Sequence, residues 1–426
     1  MSDQASMTGS LKQYGATWID AWDRFWFTPR HIDTLAVLRI LTGAMLVYSH
    51  LVLASDFSSF IGTEAWIDNE TSARLHDGTL GEATAAWSYL WLVDSPTLLW
   101  LNHAVTILVS VAFTIGFLTR ITGPLAWFLQ LMVIHRLLGS LFGLDQILTY
   151  CTMYLAFAPS GAALSIDAKL RDRFSGNGRA TVTGWKAWLF PADRKTVSAN
   201  IATRLLQIHL CVIYLFGGIA KARGDLWWDG TALWFAVANY EYQSLDVTFL
   251  GRFPRVFTAL THVTMFWEIF YCALIWPKLT RGLTLAMAVA VHGGIALSMG
   301  MMTFGTMMIV ANGIFLSPEW IRRRRLGDDA LDESDEAALS GVLTGMSGGS
   351  KGQHAVSADL QHRLQEIEAA ERGIQKRYAK LKRREAKNDE RKQRLIDARE
   401  KIKQKLIDGN LSAGDSVLRN DDLEVD

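Results

Sequence analysis

Eight apolar runs, each bounded by charged or turn-forming residues, leave this 426-residue chain few ways to fold. They lie at about 35–54, 97–118, 121–142, 146–158, 201–220, 256–276, 279–300 and 302–316. In hydrocarbon a backbone must satisfy its own hydrogen bonds, and a helix of about 20 residues does so while crossing the bilayer. The runs predict an all-α fold, a polytopic membrane helix bundle of roughly eight spans. The fourth and eighth are short and read as tilted pieces buried among neighbours. Half of all residues are apolar, sixteen are tryptophan and only a fifth are charged, the balance of a membrane protein with one soluble part.

Before the first run, the polar segment 1–32 carries Trp18, Trp22, Phe25 and Trp26 at near-helical spacing and reads as an interfacial helix ending at Pro29. It has no cleavable signal pattern, so the first span is expected to act as its own insertion signal. Basic residues fall on one side of an eight-span count: Lys169 to Lys195 after the fourth run, Lys278 and Arg281 after the sixth, and Arg322 to Arg325 after the last. The acid-rich loop before Pro96 falls on the other side. That asymmetry predicts a bacterial inner-membrane protein with both termini cytoplasmic and Lys221 near the periplasmic face. The net charge of +1 provides no field for nucleic acid, and the lipid bilayer is the expected partner. Cys151, Cys211 and Cys272 all sit in apolar runs and predict no disulfide.

Past residue 320 the composition changes. Residues 321–357 read as a charged and Gly/Ser-rich linker, and 409–426 as an acidic disordered tail. Between them, 358–408 places Leu360, Ile367, Ile374, Leu381, Asn388, Leu395 and Ile402 every seventh residue. This predicts a cytoplasmic coiled-coil helix for self-association or for a cytoplasmic protein partner. A single charged helix lying on anionic lipid, or a basic partner-binding arm, is the alternative.

The stretch from Thr203 to Gly230 concentrates the chemistry. It runs through Gly217 and Gly218 to Lys221, then Asp225, Trp227 and Trp228. A lysine desolvated at the edge of a bundle is a candidate base, whereas a lysine that snorkels to the headgroups beside interfacial tryptophans is an anchor. His50, His103, His135, His209, His262 and His292, with Arg39, Arg136, Arg204, Asp145, Glu241 and Glu268, also lie in or near the runs. Each is costly in hydrocarbon and is expected to face the interior with a partner, as part of a polar chamber or as interhelical glue. No metal is expected, since no helix carries HxxxH or HxxE spacing. Walker, GxGxxG and GxSxG motifs are absent, which leaves nucleotide hydrolysis and serine-esterase chemistry unsupported.

Several stretches together resemble the HTTM (horizontally transferred transmembrane) domain, the membrane domain of vitamin K-dependent gamma-carboxylase and its bacterial relatives. They are DTLAVLRILTGAML, YLAFAPSGAALSID ending at Asp167, RLLQIHLCVIYLFGGIAKARGDLWWDG, HVTMFWEIF with His262 and Glu268, and the segment from His292 to Trp320. The resemblance covers 33–320. It implies a reduced quinone, a vitamin K-like hydroquinone, as cofactor and Lys221 as the base that deprotonates it. Oxygenation of the quinol then yields a strong base that removes a proton from a glutamate γ carbon, to which carbon dioxide adds. His292 and His262 match family histidines and are implied tuning or substrate contacts; beside the resemblance, Trp227 and Trp228 are read from the residues as aromatics covering a flat ligand, and Asp145 as a further candidate cofactor contact. Two features depart from the family. LFGLDQ with Asp145 stands where the carboxylase has a histidine, and the large lumenal domain is replaced by the charged C-terminal helix. The resemblance therefore implies a quinol-using oxygenase, an epoxidase or a carboxylase-like lyase. The alternative is a non-catalytic membrane scaffold, or a partner in peptide or lipid maturation or transport.

Overall fold

The computed structural model describes residues 2–62, 64–80, 83–175 and 183–326, together with a few positions between 393 and 404. The chain divides into two units, 1–335 and 336–426, and the first holds all the apolar runs. Past Leu326 the expected linker, coiled coil and tail lie outside the described residues, apart from those few positions.

Among the described residues every regular element is helical, and the β pairing is one isolated antiparallel bridge between Arg30 and Thr196. The main helices are α1 (Ser2–Phe27), α2 (Asp33–Ala54), α3 (Pro96–Ile115), α4 (Thr119–Arg136), α5 (Gly143–Phe157), α6 (Val197–Ala222), α7 (Pro254–Leu274), α8 (Lys278–Ser298), α9 (Met302–Asn312) and α10 (Pro318–Leu326). Five of them, α2, α3, α6, α7 and α8, are long and apolar enough to cross a membrane, with mean hydropathy between 1.2 and 1.9. The remaining three runs form α4, α5 and α9, which are shorter or less apolar and fill the space between the long helices. Exposed Leu98, Leu101, Val105, Leu108, Val111 and Ile115 line one face of α3 at helical spacing, the pattern of a helix with a lipid-facing side.

Local chemistry sets the ends of these helices. Pro96 and Pro254 open α3 and α7, where a missing N–H costs nothing. Thr196 Oγ1 accepts the Ala199 N–H at 3.2 Å and caps α6. After α3, the chain turns through Gly116 in the left-handed region, and Asp167 holds that turn. Its carboxylate accepts the N–H groups of Leu118 (2.7 Å) and Thr119 (2.8 Å) and the Thr119 hydroxyl (2.7 Å). Arg39, fully buried in α2, donates to the carbonyls of Ser160 (2.5 Å) and Leu164 (2.6 Å). Asp167 and Arg39 thus clamp the segment after α5 onto α2 and α4; the bonds to the Asp167 carboxylate and to the Arg39 terminal nitrogens offset their cost of burial, while Arg39 Nε has no partner among the described residues.

A second charged group ties one end of the bundle together. Arg325 reaches Asp33 at 2.8 Å and Asp193 at 2.7 Å, and Arg322 reaches Asp193 at 2.8 Å. Burial pushes the Asp193 carboxyl up, but hydrogen bonds and charge from Arg325 and Arg322 outweigh it and hold the group below the usual carboxylate range. The start of α2, the approach to α6 and the helix α10 therefore share one end, so the chain enters and leaves the bundle on the same side.

Candidate functional site

Asn200, Gln207, Tyr214 and Lys221 recur every seventh residue along α6, which puts them on one stripe of the helix. The first three are buried. Below Tyr214 the stripe is structural: the Asn200 side-chain amide donates to the Phe25 and Trp26 carbonyls at the end of α1, and Gln207 donates to Ile314 O. From Tyr214 upward the groups are chemically richer.

Lys221 ends α6, but it does not lie at the end of its neighbour. Its Nζ pairs with Glu268 Oε2 at 2.6 Å, and Glu268 stands about two thirds of the way along α7. The first part of α7 continues past the lysine and packs against two short helices, Asp225–Trp228 and Ala232–Ala238. Lysine side chains on a helix point back toward the N-terminus, which here means over Gly217. A Cβ at Gly217 would lie 3.4 Å from Glu268 Oε2 and 3.9 Å from Lys221 Nζ, ordinary contact distances that place this face of α6 directly against the pair. Gly218 lets the two backbones approach: a Cβ there would fall 2.7 Å from Ile269 Cγ1 and 2.8 Å from its backbone nitrogen. The Lys221 side chain is 28 % exposed and that of Glu268 8 %. Trp227 covers the ammonium, with Nζ 5.4 Å from its ring centre.

One step deeper, Tyr214 stacks on Tyr271 with ring centres 4.0 Å apart. Asn312 of α9 donates to Tyr214 Oη at 2.8 Å and accepts from Tyr271 Oη at 2.6 Å. Tyr214 Oη also lies 2.7 Å from His292 Nε2. Since Asn312 already donates to Tyr214, the network assigns the tyrosine hydroxyl as donor to His292 Nε2, with the ring proton on Nδ1. That Nδ1 is buried and has no partner among the described residues. The Lys221 charge reaches His292 electrostatically, so the ion pair and the buried network form one cluster drawn from four helices.

The other sequence candidates take different places. His262 is on α7, with its Nε2 3.1 Å from Trp228 O, and it lines an apolar groove of about 460 Å³ between α7 and α8 with Phe266, Trp267, Phe270 and Leu283. Trp228 donates its indole N–H to Ala222 O at 2.8 Å, pinning the turn after α6. Asp145 accepts the Phe142 N–H at 3.0 Å at the start of α5, a helix-capping bond. His50 and His103 lie together elsewhere, between α2 and α3. Among the described residues no group of three His, Cys, Asp or Glu could hold a metal ion.

Tyr214, Tyr271 and Asn312 were not among the sequence candidates. The seven-residue recurrence on α6 is the signal for Tyr214; nothing comparable marks Asn312, which is a lone polar residue in a short apolar helix.

Chemically, the cluster places a carboxylate and an ammonium in contact under an aromatic face, at a point partly open to the surroundings. Such a pair can accept a proton at the carboxylate while the cation remains to face a negative charge on whatever gave it up. No protein-family model, curated protein or solved structure matches the chain, so the case for this site rests on the chemistry of its own residues.

Proposed function

We propose that the chain is an integral membrane protein of HTTM type that deprotonates a membrane-soluble hydroquinone at the Lys221–Glu268 pair. The carrying observation is the ion pair itself: a carboxylate that is almost fully buried, joined at 2.6 Å to a lysine that is 28 % exposed beneath Trp227. The residues fit a phenol-type ring, with an acceptor in Glu268, a cation in Lys221 and a flat cover in Trp227. A reduced quinone would supply the acidic hydroxyl. Glu268 Oε2 takes the proton, and Lys221 Nζ stabilises the oxyanion left behind, so the pair rather than the lysine alone is the base. His292 and Tyr214 bear on the site through the buried network, and His262 and Trp228 hold the segment that covers it. An oxygenase, epoxidase or carboxylase-like reaction would follow from the deprotonated quinol. In this reading the protein sits in a bacterial inner membrane, with the pair in the periplasmic half.

A non-catalytic scaffold is the second reading, and the way Tyr214, Asn312 and Tyr271 satisfy one another favours it. The two separate on turnover. Purified protein in nanodiscs, supplied with oxygen and with reduced vitamin K or menaquinol, is expected to oxidise quinol. Lys221→Ala and Glu268→Gln should each lower the rate about 100-fold or more. Absence of turnover from folded wild-type protein, or equal rates in the variants, would sink the enzymatic reading.

A further inference from the structure

Three arginines meet at the end of the bundle where the chain enters and leaves. Arg30 follows α1 and is fixed by its backbone bridge to Thr196, the cap of α6. Arg204 lies two turns into α6 from that cap; its guanidinium stacks 4.3 Å from the Phe25 ring centre and 5.8 Å from that of Trp276. Arg281, in the first turn of α8, donates to the carbonyl of the same Trp276 at 2.6 Å and to Ile275 O at 3.1 Å. Arg204 feels repulsion from both Arg30 and Arg281. All three side chains are half-buried.

Among the described residues a single carboxylate, Glu319, acts on this charge, against three guanidinium groups. Among the described residues none of the three forms an ion pair, and the guanidinium of Arg30 makes no hydrogen bond. Arg204 uses Nε and Nη1, on Phe25 O and Gln207, and Arg281 uses Nε and Nη2, which leaves one terminal nitrogen of each unbonded. The attraction of Glu319 on Arg30 outweighs the repulsion from Arg281, and no described carboxylate acts in the same way on Arg204. Three partly desolvated cations beside one carboxylate are incompletely compensated, and guanidinium groups presented together match the oxygens of a phosphate. The surroundings favour a lipid source: Phe25 and Trp276 frame the site, and exposed Trp18 and Trp22 extend along α1 beside it, as aromatics do at headgroup depth.

We propose that Arg30, Arg204 and Arg281 form a binding site for the phosphate group of an anionic membrane phospholipid. The lipid headgroup supplies the missing negative charge and joins α1, α6 and α8 at that end. Bound there, it would dock the interfacial helix to the bundle.

The experiment uses the full chain, delipidated in neutral detergent, with melting followed by tryptophan fluorescence. Phosphatidylglycerol is expected to raise Tm by about 5 °C at saturation, whereas phosphatidylcholine or inorganic phosphate should leave it nearly unchanged. Arg30→Gln and Arg281→Gln should each weaken phosphatidylglycerol binding about fivefold. An equal shift from phosphatidylcholine, or an undiminished phosphatidylglycerol shift in the double variant, would overturn the site. An equal shift from inorganic phosphate would overturn the assignment to a lipid.

Discussion

Gly217 and Gly218 are adjacent in α6, but they serve different contacts. At Gly217 an added methyl group meets ordinary van der Waals distance, 3.4 Å from the Glu268 carboxylate. At Gly218 it meets the Ile269 backbone at 2.8 Å, which neither helix can yield without moving. Gly218→Ala is therefore expected to cost about 1–3 kcal/mol and to lower Tm, and to displace Glu268 from Lys221. Gly217→Ala should leave Tm within about 1 °C and quinol turnover near the wild-type rate, because its methyl group fits beside the pair. Similar Tm losses for both would contradict the distances. Lys221 and Trp227 could be read from the sequence because they are six residues apart, and the contact between them is local. The partnership with Glu268 could not, because it depends on which face of α7 meets α6, and a single chain does not record helix packing order.

α10 is short and polar, and its role in the bundle comes through charge. Arg322 and Arg325 hold Asp193 and Asp33, and Asp193 is only 17 % exposed. Because the Asp193 carboxyl lies below its ordinary range when folded, its contribution is present at neutral pH. It is lost as pH falls below about 4, through the folded-state value. Asp193→Asn should destabilise the protein by about 1–3 kcal/mol at pH 7, with the difference from wild type shrinking toward pH 3. A difference that stays constant over that range would assign the loss to shape rather than charge. At this scale the sequence was most legible in α2, α3, α6, α7 and α8, where length and apolarity coincide. The runs of α5 and α9 were legible as short buried pieces, but length and apolarity alone do not say whether they cross a membrane, and they owe their helicity to burial between neighbours. The Arg39 and Asp167 stretches carried the resemblance to a known family, and here they meet each other; their partners are backbone groups that no motif displays.

The bundle as a whole returns the chain to the end at which it began, since Asp33 meets Arg322 and Arg325. A reporter fused after Leu326 is expected to lie on the same side of the membrane as one placed before Asp33, and on the cytoplasmic side by the distribution of basic residues. Signals from opposite sides would overturn that arrangement. The same contacts set an order in time. Asn200, which binds the last carbonyls of α1, is made 175 residues after Phe25, and Arg322 is made 289 residues after Asp33. At about 5–20 residues per second, α1 waits on the order of 10 s or more for its cap, and α2 waits longer for the cations that neutralise its acid. The newborn chain therefore holds Asp33 without its arginine partners until α10 is made, and α10 is the element that completes this contact.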